Sequence, residues 1–155
     1  MKILLLAIGK RHDAKLAAAI DDYVARLQRY ARVEWQFVPS PHATMSSDEQ
    51  KERETAALMS QIKSDDYVVL LDERGQQWST RQLAEELGEH ELRGTNRVVF
   101  IIGGAYGVAS ELSSRADEVW ALSKLILPHQ LVRLVLAEQL YRAFTILRGE
   151  PYHHD

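Results

Sequence analysis

Arg97-Val98-Val99-Phe100-Ile101-Ile102-Gly103-Gly104-Ala105-Tyr106-Gly107 decides the architecture of this chain. The β-branched and aromatic residues after Arg97 leave no polar face, and the glycine-rich stretch behind them ends the run. A strand apolar on both faces belongs in a parallel sheet with helices on both sides. Residues 2–8, 33–38, 67–71 and 118–122 carry comparable strand patterns. Helical patterns separate them, over residues 14–30, 47–63, 109–115 and 129–147, with another running from Ser79 to about residue 90. In the first, Leu16, Ile20, Tyr23, Val24 and Leu27 recur at helical spacing. Ser46 with Glu49, and Ser79 with Gln82, have the spacing of capping boxes. Pro39-Ser40-Pro41 breaks the chain after the second strand, and Asp72-Glu73-Arg74-Gly75 reads as a turn after the third. This alternation predicts an α/β fold with a mostly parallel sheet, residues 1–155 forming one domain.

The composition, 46% hydrophobic and 26% charged, is that of a soluble globular protein. No apolar run approaches the roughly 20 residues that span a bilayer. Residues 2–8 are too short for a secretory signal, which points to the cytoplasm. Without cysteine, disulfides, zinc–cysteine sites and thiol catalysis are excluded. The net charge of −3 argues against a freestanding nucleic-acid binder. Such a role requires basic residues gathered on one face, or recruitment that does not depend on charge alone.

The final helical segment is unusual. Leu131, Val132, Leu134, Val135, Leu136, Ala137, Leu140, Tyr141, Ala143, Phe144, Ile146 and Leu147 leave almost no polar face. A helix apolar nearly all round must be covered on several sides, so a homodimer through this helix is expected. Its polar exceptions are Arg133, Glu138, Gln139 and Arg142, of which Glu138 and Arg142 have the spacing of an intrahelical pair.

Three stretches have the residue types of a site. Gly103-Gly104-Ala105-Tyr106-Gly107 follows a strand, where open α/β sheets bind ligands; it is either a turn or a close approach to a ligand. Neither a dinucleotide fingerprint nor a phosphate-binding loop is present. Ser123-Lys124-Leu125-Ile126-Leu127-Pro128 is either an ordinary strand-to-helix connection or a source of free backbone groups for an adenine. Pro151-Tyr152-His153-His154-Asp155 is either a fraying terminus or a flap whose histidine exchanges a proton near neutral pH. His90-Glu91 lacks the second histidine of a zinc-protease helix, and no metal site is expected.

Taken in order, these blocks resemble one family. Val69-Leu70-Leu71-Asp72, Phe100 through Gly107, Leu122 through His129, Leu131-Val132-Arg133, Glu138-Gln139-Leu140-Tyr141-Arg142-Ala143 and Pro151-Tyr152-His153 match the RlmH family. These are SPOUT-class methyltransferases that act on N3 of a pseudouridine in 23S ribosomal RNA. The resemblance covers the whole chain and is loosest between residues 39 and 63. Tyr106 stands where some members carry an acidic residue, and His154 where others carry arginine or lysine.

The resemblance implies a SPOUT-type α/β knot, with a C-terminal trefoil knot, in a homodimer. It implies S-adenosyl-L-methionine as cofactor, with Leu71, Gly103, Gly104, Ser123, Lys124, Leu125, Ile126, Leu127 and Pro128 around it. The substrate it implies is 23S ribosomal RNA within assembled ribosomes, a shaped surface that an acidic protein can read. Tyr152 and His153 are expected to complete the catalytic site across the dimer. Arg133 or Arg142 is expected to hold a phosphate or the uracil oxygens. Two rival readings are a non-catalytic ribosome-binding module of this fold and a SPOUT methyltransferase acting on transfer RNA.

Overall fold

The computed structural model describes residues 1–40 and 45–155. Pro41, the last residue of the proline-rich breaker, lies outside the described residues. The elements run β1 (Lys2–Ile8), α1 (Ala14–Leu27), β2 (Arg32–Val38), α2 (Ser47–Met59) and β3 (Tyr67–Gln77). They continue with α3 (Thr80–Arg93), β4 (Arg97–Ile102), α4 (Ser110–Arg115), β5 (Glu118–Ala121) and α5 (His129–Leu147). The five strands form one sheet in the order β2-β1-β4-β3-β5, and every pairing is parallel, as the apolar strands predicted.

The pleat divides the core. Ile3, Leu5, Ala7, Val98, Phe100 and Ile102 point to one face and pack against Leu27 of α1, Leu83 and Leu87 of α3, and Leu136, Leu140 and Phe144 of α5. Leu4, Leu6, Ile8, Val99 and Ile101 point to the other and meet Leu58 of α2 and Leu112 of α4. Strands buried on both faces therefore need no polar alternation.

The caps behave as their chemistry requires. Asp13 opens α1 by accepting from the Lys15 amide, and Ser46 opens α2 by accepting from that of Glu49. At α3 the Ser79–Gln82 capping box is complete in both directions. Helices α1 and α2 end a few residues earlier than their apolar patterns suggested.

The third strand departs more from expectation. It continues to Gln77, and residues 72–75 form an irregularity in its pairing with β5 rather than the end of the strand. Leu71 pairs with Trp120, and Gln76 pairs with Trp120 again after the bulge. Gly75 makes this possible, because a Cβ there would lie 2.5 Å from the Val119 carbonyl oxygen.

Connections leaving β1 and β4, which are neighbours, go to opposite faces: α1 lies with α5 and α3, while α4 lies with α2. The loops after those strands separate there and leave a crevice at the carboxyl ends of the sheet.

Candidate active site

A cavity of about 510 Å³ opens at the carboxyl ends of β4 and β5 and the bulge of β3, within the range of small-molecule sites. Leu71, Gly103, Gly104, Ser123, Leu125, Ile126 and Leu127 line it, so residues far apart in the chain meet around one space. Lys124 and Pro128 do not line it. Lys124 is exposed, and Pro128 caps α5 with its fixed φ.

Each wall has a local cause. Gly107 donates its amide to the Gly104 carbonyl at 3.1 Å, folding the glycine-rich loop onto itself. At Gly104 a Cβ would displace the buried carboxylate of Glu54 on α2, which packs against the glycine. Ser123 accepts from the Leu125 amide at 2.9 Å, turning the next two side chains outward. Leu125 and Ile126 are consequently 74% and 79% exposed.

The cavity also takes residues that patterning did not single out. Asp72 lines it and is held by Arg74, whose Nε and Nη2 donate at 3.0 and 2.9 Å. These hydrogen bonds hold the Asp72 carboxyl below its ordinary range against the opposing effect of burial. Trp120 forms part of the wall with Trp78 stacked on it at 5.3 Å. The available signal for Asp72 was its place directly after a strand, where ligands gather.

His129, in the first turn of α5, connects this cavity to a buried arginine. Its Nε2 lies 3.1 Å from Arg133 Nη2. A guanidinium only donates, so His129 accepts at Nε2 and, when neutral, carries its proton on Nδ1. Arg133 also donates to the Lys10 carbonyl at 2.8 Å and the Ile8 carbonyl at 3.2 Å, with Phe37 beneath it. Its Nη1 lies 3.4 Å from His12 Nδ1. Burial lowers the pKa of both histidines, and the neighbouring guanidinium lowers it further.

Of Arg133 and Arg142, expected as alternatives to hold a phosphate or the uracil oxygens, Arg133 is the one turned inward. Its side chain is only 1% exposed, and carbonyls and histidines engage both terminal nitrogens while the buried Nε has no partner. In this structure it ties the β1–α1 loop to α5.

Tyr152, His153 and Arg142 do come together, at the other end of α5. Arg142 donates twice to Glu138, at 2.9 and 2.6 Å, and its guanidinium lies 4.7 Å from the centre of the Tyr152 ring. The Tyr152 hydroxyl donates to Glu138 at 3.1 Å and lies 3.2 Å from that of Tyr23. His153 Nδ1 is 3.4 Å from Arg142 Nη1, and its Nε2 is 2.8 Å from Asp155, which Arg81 also engages. Burial, the Tyr23 hydrogen bond and the nearby Glu138 charge raise the Tyr152 pKa, so the phenol keeps its proton at neutral pH.

Nine residues separate Arg133 from Arg142, about 13 Å along the axis and half a turn around it. The four candidate catalytic residues thus form two groups in one chain. None of Arg133, Arg142, Tyr152 and His153 lines the cavity.

Comparison with known proteins agrees with this architecture. The family model described as "Predicted SPOUT methyltransferase" matches residues 1–153. The ribosomal RNA large subunit methyltransferase H of Christiangramia forsetii is 44% identical over 99% of both chains. The protein of that name from Anaeromyxobacter dehalogenans is also 44% identical over 99% of both, and that of Porphyromonas gingivalis 38% over the full length of both. A solved structure, a probable methylase family protein from Haemophilus influenzae Rd KW20, superposes with a TM-score of 0.56. At 13% identity, covering 99% of this chain and 70% of that one, it bears on the fold alone. Full-length identity at this level, with the cavity walls drawn from the matched segments, establishes that the chain belongs to the SPOUT methyltransferases, in the RlmH family.

Proposed function

We propose that this chain is an S-adenosyl-L-methionine-dependent methyltransferase that modifies N3 of a pseudouridine in 23S ribosomal RNA on assembled ribosomes. The observation that carries the reading is the meeting of Leu71, the Gly103–Gly104 turn and residues 123–127 around one cavity. Its size suits a nucleoside ligand, and its polar and apolar walls supply both stacking surface and backbone partners. Gly104, where a Cβ would displace the Glu54 carboxylate, keeps the backbone accessible. The residues present therefore fit the cofactor, which supplies an electrophilic methyl group on a sulfonium.

The rest of the task falls to the chain's own residues. The target imide proton must leave, the nitrogen must be aligned, and charge developing on the uracil oxygens must be neutralised. Tyr152 retains its proton and serves as a donor; His153 is the group assigned to take the imide proton, directly or through an aligned water. Arg142 supplies positive charge beside them.

These tail residues do not line their own chain's cavity, and the reading therefore places them against the cavity of a second copy. Supporting this are the exposed Leu125, Ile126 and Tyr106 at the cavity rim, and the half-buried Leu131, Leu134 and Val135 on α5. The same reading takes residues 1–155 as one SPOUT domain whose chain after β5 forms the trefoil knot. Among the described residues, no helix is long and apolar enough to cross a membrane.

The test is methylation of ribosomes purified from a strain lacking this gene, followed by mass mapping of their RNA. One added methyl on a pseudouridine of the 23S RNA is expected with intact ribosomes. Methylation of isolated transfer RNA, or no transfer despite cofactor binding, would overturn the assignment.

A further inference from the structure

We infer that the β1–α1 loop and the first turn of α1, carrying Lys10, Arg11 and Lys15, form a phosphate-contacting surface for the RNA substrate, held in shape from within by Arg133. The inference rests on the proposed RNA substrate and specifies which part of the chain meets its backbone.

The observation is the uneven pairing of positive charge. Arg26, Arg29 and every arginine from Arg74 onward except Arg133 lie within ion-pair distance of a carboxylate. Arg133 is buried. Among the described residues, no lysine makes an ion pair, and neither do Arg11, Arg32 and Arg53, but only residues 10–15 bring three such cations together. Lys10, Arg11 and Lys15 are exposed within one six-residue stretch. The nearest acidic residue in sequence, Asp13, is committed to capping α1 through the Lys15 amide. A protein with net charge −3 thus keeps a local group of cations free for an external anion.

Placement makes this group relevant to the site. Ala7 of β1 pairs in register with Ile102 of β4, so the β1–α1 loop and the glycine-rich loop leave the sheet side by side. Arg133 binds the Ile8 and Lys10 carbonyls on one side and His129, a cavity residue, on the other. Gln130 accepts from the Asp13 amide at 2.9 Å, a second tie between α5 and the loop. The buried guanidinium thus fixes the loop backbone while Lys10 and Arg11 face outward. Flexible ammonium and guanidinium groups on a fixed backbone suit phosphate contacts, which set position and orientation on RNA. They do not suit base readout.

The experiment uses the full-length protein and ribosomes from a strain lacking the modification. Lys10→Gln, Arg11→Gln and Lys15→Gln are combined in one variant. A control removes equal charge at the opposite end of the sheet through Lys2→Gln, Arg32→Gln and Lys63→Gln. Ribosome binding is measured across a potassium chloride series, S-adenosylmethionine binding by calorimetry, and methylation at saturating ribosomes. The loop variant should bind ribosomes on the order of tenfold or more weakly at low salt, with a log–log salt slope shallower by about 2 to 3. Its cofactor affinity and its rate at saturating ribosomes should match wild type, and the control should keep the wild-type slope. Equal weakening in both variants, an unchanged slope in the loop variant, or lost cofactor affinity would each overturn the inference. Failure of the wild type itself to bind or methylate ribosomes would instead remove the substrate reading on which it rests.

Discussion

The two ends of α5 handle an arginine in opposite ways. Arg133, in the first half, is buried without a carboxylate and is held by two carbonyls and a histidine, with a second histidine 3.4 Å away. Arg142, in the second half, is partly exposed, paired with Glu138 and laid over Tyr152. A buried cation bound to neutral acceptors organises backbone, because moving it would strand both the charge and the carbonyls. A half-exposed cation in a carboxylate pair can exchange partners at small cost. The first arrangement suits a scaffold behind a site, and the second suits a site that must meet a substrate.

Truncation tests this contrast most severely. Arg133→Ala should cost about 3 kcal/mol, from the cavity it leaves and the stranded Ile8 and Lys10 carbonyls. Arg142→Ala should cost only about 1 kcal/mol. Urea denaturation with unchanged slope measures both, and equal losses would erase the distinction.

The tail end should show its effect in rate rather than stability. His153→Ala should slow single-turnover methylation about 100-fold, and Tyr152→Phe about 10-fold, at saturating cofactor. Melting should barely change in either. Unchanged rates in both variants would remove the tail from the chemistry.

Acid should act at the Arg133 end. His12 and His129 have folded pKa values below the ordinary histidine value of 6.5, through burial first and Arg133 second. The unfolded chain therefore binds their protons more readily than the folded one. Stability from these groups is complete above pH 6.5 and declines as pH falls towards their folded values, by up to about 1.4 kcal/mol per pH unit for each histidine. Arg133→Met should flatten this dependence, since it removes one cause of both shifts. An identical slope would assign the acid sensitivity elsewhere.

Much of this was legible in the sequence because it depends on local rules. Val98 to Ile102 alternate between two buried faces and read directly as an interior strand. Ser79 and Gln82 announced a capping box that forms in both directions. The glycine pair and the residues after Ser123 marked the cavity walls because tight turns and free backbone have a composition. Residues 72–75 were misread as a strand-ending turn, since a bulge carries the same Gly-containing signature. His129 and Asp72 were overlooked as cavity residues, because neither spacing nor neighbours reveal which loops will face each other.

The alternation of strands and helices, the two-sided burial of the sheet and the likeness to a methyltransferase family are all written in the order of residues. Periodicity and capping act within a few residues, and a string of residues displays them openly. Folding alone puts β1 beside β4, seals Arg133 beneath the β1–α1 loop and gathers the tail at Arg142 instead. The physical reason is burial. A guanidinium's role follows from which distant carbonyls, rings and carboxylates surround it, and those neighbours are brought together by the fold.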